Sequence, residues 1–121
     1  MAATMSVLRT TAVDPVSGQT AVAPRVLVAD ANEDTRVRRY AQLTAAGCDV
    51  SVARTGFEAI VKASCQIPTL IMLDDSLGED EAEKTRRLLA TCPVTSHIRV
   101  VRLTTGRRVP RRTLTRLRRA V

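Results

Sequence analysis

Aromatic side chains are almost missing from this sequence: Tyr40 and Phe57 are the only two, and there is no Trp. A core without them must come from Val, Leu, Ile and Ala, the composition of parallel sheets covered by helices. Histidine is nearly absent too. His97 stands alone, and Cys48, Cys65 and Cys92 are widely spaced with no C-x-x-C among them. This set argues against a zinc site and against a disulfide framework, and it reads as small buried hydrophobes in a reducing cytoplasm. No apolar run approaches the length of a membrane span, and the N-terminus lacks the apolar core of a signal peptide. The expected location is therefore cytoplasmic. Gly56 and Gly78 are isolated and match neither nucleotide-binding spacing. No lysine follows Lys84.

What is present suffices for one compact domain: 121 residues, of which 45% are hydrophobic. The net charge of +7 is unevenly placed. Residues 1–98 hold ten Lys/Arg against twelve Asp/Glu, whereas residues 99–121 hold nine Arg and no acid. The basic character thus belongs to the C-terminal end and not to the folded body. Residues 1–24 lack both helical and strand periods and read as a flexible leader.

Order begins at Arg25. Val26–Asp30 is an apolar run ending in an acid, read as a buried strand. Asn32, Asp34 and Thr35 offer capping chemistry for a helix over about Thr35–Ala46. Val37, Tyr40, Ala41 and Thr44 are expected on its inward face, with Arg36, Arg38 and Arg39 on the other side. Gly47 supplies the left-handed stop. Asp49–Ala53 alternates and is a second strand. Thr55 and Glu58 have capping-box spacing for a helix to about Ser64 that would bury Phe57, Ile60 and Val61. Thr69–Leu73 is a third apolar run, ending at Asp74. An acidic loop (Asp75, Glu79, Asp80, Glu81) leads to a charged helix over about Glu81–Ala90. Arg99–Leu103 is the fourth strand, and Thr113–Ala120 reads as a short basic helix. Strands alternating with helices imply a parallel α/β sheet.

Two of these strands end in acids, Asp30 and Asp74. In a flavodoxin-like sheet of order 2-1-3-4 they are neighbours, and the crevice at their carboxyl ends is the switch point where such folds bind ligands. Two carboxylates so placed repel unless a cation joins them. Mg²⁺, held by one or two carboxylates plus water and phosphate oxygens, would satisfy that requirement. Thr104, at the end of the fourth strand, adds a hydroxyl able to bond a phosphate oxygen.

Four stretches carry a family resemblance. Val26-Leu27-Val28-Ala29-Asp30-Ala31-Asn32-Glu33-Asp34-Thr35-Arg36, Ala45-Ala46-Gly47-Cys48-Asp49-Val50, Pro68-Thr69-Leu70-Ile71-Met72-Leu73-Asp74 and His97-Ile98-Arg99-Val100-Val101-Arg102-Leu103-Thr104 resemble, in order and spacing, the receiver domains of response regulators, the CheY-like family. The resemblance covers about residues 25–105. It implies that Asp74 accepts a phosphoryl group from a sensor histidine kinase or phosphotransfer protein, in a two-component phosphorelay. Asp30, Asp74 and the backbone carbonyl of Ser76 would hold Mg²⁺, and Thr104 would sense the phosphoryl group. The response would pass to a downstream protein partner, with no independent enzymatic activity and no membrane partner.

Departures from the family pattern are equally specific. Ala31 stands where a second acid is usual. Gly78-Glu79-Asp80-Glu81-Ala82 replaces the usual Pro-Gly loop. The fifth strand with its phosphate-clamping Lys, and the last helix, are missing or replaced by the Arg-rich tail of residues 106–121. That truncation predicts marginal stability or self-association, unless the tail folds back. The alternative reading is a degenerate, non-phosphorylated receiver acting as a protein- or nucleic-acid-binding module, the nucleic acid held through the basic tail.

Overall fold

A computed structural model describes residues 23–104, together with Thr113 and Leu114. Most of the expected leader and of the Arg-rich tail lies outside the described residues, as does the remainder of the expected Thr113–Ala120 helix.

The elements run β1 (Arg25–Ala29), α1 (Glu33–Ala45), β2 (Asp49–Ala53), α2 (Gly56–Gln66), β3 (Leu70–Asp74), a 3-10 turn (Asp75–Leu77), α3 (Glu79–Thr91) and β4 (Arg99–Leu103). The four strands form one sheet of order β2-β1-β3-β4 in which every pairing is parallel. The alternation of apolar runs and helices implied the parallel sheet, and the order is the 2-1-3-4 expected of a flavodoxin-like fold.

Strand side chains alternate between faces, and the two halves of the core follow that period. Val26, Val28, Leu70 and Met72 join Leu103, Leu43 of α1 and Cys48 on one face. Leu27, Ala29, Ile71 and Leu73 meet Ala59 and Ala63 of α2, Leu89 of α3 and Ile98 on the other. Helices therefore cover both faces, which is why β1 and β3 could be apolar nearly throughout. Leu114 packs, partly buried, against the α1 face beside Val50, Val52 and Val101.

Local chemistry sets the helix ends. The Asn32 side chain accepts from the Thr35 amide at 3.1 Å, so α1 starts at Glu33, ahead of the expected Thr35. Gly47 takes φ +94° just past its end. The Thr55 hydroxyl accepts from the Glu58 amide at 3.0 Å, and the Glu58 carboxylate accepts from the Arg54 amide at 2.9 Å. Glu79, Asp80 and Glu81 form the first turn of α3 instead of a loop, because three acids suit the positive end of the helix dipole.

Two expected faces are corrected. In α1 the buried residues are Thr35, Arg36, Arg39 and Leu43, while Val37 and Tyr40 are 59% and 46% exposed. In α2 the buried residues are Gly56, Ala59 and Ala63, and Phe57 is 74% exposed, with Val61 also outside. At the start of α2 the approach to α3 is close: a Cβ on Gly56 would meet Thr85 Oγ1 at 2.1 Å and Glu81 Oε2 at 2.6 Å. The cysteines divide as well, with Cys48 buried, Cys92 intermediate and Cys65 exposed.

Candidate functional site

The parallel register builds the site. Ala29 pairs with Leu73 across β1 and β3, so Asp30 and Asp74 come next on adjacent strands, at the carboxyl end of the sheet. Both are fully buried. Buried carboxylates require compensation by donors or opposite charge.

Here the compensation comes from α1. Arg39 lies one turn before Leu43 on the inward stripe, and its side chain is only 2% exposed. Its Nη1 donates to Asp30 Oδ2 at 3.1 Å and also to Asp74 Oδ1. Its Nη2 donates to the Thr104 carbonyl at 2.9 Å. One guanidinium thus joins the ends of β1, β3 and β4. One turn earlier, buried Arg36 donates from Nη1 to the Asp30 carbonyl at 3.0 Å.

The remaining oxygens are engaged too. Asp30 Oδ2 also accepts from the Thr35 hydroxyl at 2.6 Å. Asp30 Oδ1 accepts from the Asn32 amide at 2.9 Å and from the Ser76 hydroxyl at 2.8 Å. Asp74 Oδ2 accepts from the Ser76 amide at 2.8 Å. The Ser76 hydroxyl itself accepts from the Ala31 amide at 3.0 Å. At the rim, Arg102 reaches Asp75 at 2.8 Å.

All four residues named from the sequence come together here, though not all in the expected manner. Asp30 and Asp74 are adjacent. Ser76 meets both carboxylates, through its amide and hydroxyl. Thr104 meets Arg39 through its carbonyl, while the residue as a whole is exposed. Of the site residues, Arg36 and Arg39 lie on the side of α1 opposite to that expected from the sequence. Their signal was the spacing to Leu43: positions 36, 39 and 43 share one helical stripe, so a buried Leu43 carries both arginines inward.

As built, this donor set does not fit Mg²⁺. Every carboxylate oxygen of Asp30 and Asp74 accepts a hydrogen bond, and a cationic nitrogen occupies the bridging position between them. A hard cation needs free oxygens at that point. Among the described residues no group of three or more His, Cys, Asp and Glu could hold a metal ion. Nor is any helix among them long and apolar enough to cross a membrane.

Comparison with known proteins agrees with the topology. The chain is similar in structure to the chemotaxis response regulator CheY4 of Vibrio cholerae, with a TM-score of 0.64 and 22% identity over 70% of this chain and 71% of that one. It is also similar to the bacteriophytochrome response regulator AtBRR, with a TM-score of 0.59 and 21% identity over 83% of this chain and 76% of that one. No protein-family model matches the sequence, and no curated protein matches it. The fold is that of a CheY-like receiver.

Proposed function

We propose that this chain is a receiver-fold signalling module that acts through protein contacts, with its carboxylate site held shut by arginine and Asp74 not phosphorylated. The observation that supports this most is the Arg39 guanidinium bridging Asp30 and Asp74. A phosphoryl donor must bring an anion to Asp74, and the metal that would neutralise it needs the position that Arg39 holds. Ala31, in place of a second acid, points the same way. On this reading the module is not an enzyme, works in the cytoplasm, and carries information by which protein it binds. Its exposed surface, Val37 and Tyr40 of α1 and Phe57 and Val61 of α2 included, offers apolar contact for such a partner.

A second reading keeps the phosphorelay: Asp74 accepts a phosphoryl group from a sensor histidine kinase, with Mg²⁺ and Thr104 assisting. The adjacency of Asp30 and Asp74 at the switch point favours it. Incubation with Mg²⁺ and acetyl phosphate, read by intact mass, separates the two. The module reading expects no adduct. A stoichiometric phosphoryl adduct that disappears in Asp74→Asn overturns it and establishes the second. Binding through the basic tail makes a distinct prediction, nucleic-acid affinity that falls steeply with salt.

A further inference from the structure

We infer that Arg36 and Arg39 together act as a built-in replacement for a divalent cation, giving the buried carboxylates of Asp30 and Asp74 a permanent counter-charge. The inference rests on the reading of the chain as an unphosphorylated module and deepens it, by naming what fixes the site in one state.

The charges balance. Two buried carboxylates bring two negative charges, and two guanidiniums bring two positive ones, the amount that a single divalent ion would supply. Spacing of three residues on α1 puts both arginines on the same face. Arg39 takes the bridging role between the two acids, and Arg36 sits against the main-chain oxygen of Asp30. Both arginines are buried. A guanidinium cannot be deprotonated in a protein and does not dissociate as an ion does. A site neutralised in this way gains nothing from Mg²⁺ and has no empty state to switch from.

Arg39 also does what a bound ion could not. Its second nitrogen holds the Thr104 carbonyl, so the counter-charge and the end of β4 are tied through one side chain. The chain beyond β4 leads to Leu114, which packs on the α1 face of the sheet. The carboxylate site, α1 and the C-terminal end of the sheet are thereby one connected unit.

The test is thermal unfolding of the full chain in millimolar MgCl₂ against NaCl of matched ionic strength, for the wild type, Arg39→Met, and the triple variant Arg39→Met/Asp30→Asn/Asp74→Asn. The wild type should show no Mg²⁺-specific shift. Arg39→Met should lose roughly 15 °C in Tm or fail to fold, because it takes the bridging cation from two buried carboxylates. The triple variant, which removes both carboxylate charges and the guanidinium that bridges them while leaving Arg36 on the Asp30 main-chain oxygen, should recover at least half of that loss, or should fold by circular dichroism where Arg39→Met does not. A triple variant as damaged as Arg39→Met overturns the inference, since the arginine would then serve packing and not charge. A Mg²⁺-specific rise in wild-type Tm also overturns it. That last outcome, without an acetyl phosphate adduct, leaves the module reading standing; an adduct on Asp74 overturns the reading itself.

Discussion

Asp74→Asn is the substitution on which the two views of this site differ in sign. In a bare carboxylate cluster, removing one negative charge relieves repulsion and stabilises the fold. Here Asp74 is an acceptor for a buried guanidinium, so the same change should destabilise it. A hydrogen bond to a charged group contributes about 1.5–3 kcal/mol. Asn retains a carbonyl oxygen, which can still accept from Arg39 or from the Ser76 amide, and Asp30 still pairs with Arg39 at 3.1 Å. The loss should therefore fall short of the roughly 3–5 kcal/mol for stranding a buried charge completely, and about 2 kcal/mol is the expected value. Urea unfolding reads this directly. For a domain of this size a slope near 1 kcal/mol per molar urea converts the loss into a midpoint lowered by about 2 M at unchanged slope. A midpoint that stays in place or rises would refute the argument, because Asp74 would then be a charge that the fold tolerates and not one that it uses.

The other predictions concern the scaffold. Gly56→Ala should cost about 1–3 kcal/mol in thermal or urea unfolding, since its Cβ runs into Thr85, which is 1% exposed and has little room to yield. Phe57→Ala should change stability by no more than about 0.5 kcal/mol by the same assay, because the ring is 74% exposed; a loss of about 3 kcal/mol would put it in the core. On α3, the Arg86 side chain at 2.6 Å, aided by Arg87, pulls the Glu83 carboxyl from 4.5 down to about 2. A carboxyl lowered on folding contributes stability that is complete above pH 4.5 and is lost as pH falls towards 2. Glu83→Gln should accordingly flatten the acid limb of the stability profile in that window, and an unchanged limb would show that the pairing carries no weight.

The sheet was legible because its signal is local and apolar. Val26–Asp30, Asp49–Ala53, Thr69–Leu73 and Arg99–Leu103 each lie within a residue of the true limits; the alternation with helices gave a parallel sheet, and the strand order came from the resemblance to a flavodoxin-like fold. The helix faces were not, for two separate reasons. In α2, Ala59 and Ala63 carry a weak hydrophobic signal, and Phe57, Ile60 and Val61 outweigh them although Phe57 is exposed. In α1, Val37 and Tyr40 outweighed the lone Leu43, and arginine is seldom buried without a partner. One carboxylate partner of Arg39, Asp74, is 35 positions away. Periodicity cannot see a residue whose inward placement depends on a carboxylate two strands later. The adjacency of Asp30 and Asp74 was legible; the cation between them was not.

That separation along the chain bears on the order in which the molecule assembles. Arg39 contacts positions 9, 35 and 65 residues distant. Its bond to Asp30 can form as soon as β1 and α1 meet, but the others wait for β3 and then β4 to dock, each closing a longer loop. Interactions completed after the folding barrier act on the unfolding rate and leave the folding rate nearly alone. A bridge whose last two bonds close after that barrier would act as a late latch, and Arg39→Met would then raise the unfolding rate and leave the folding rate nearly unchanged.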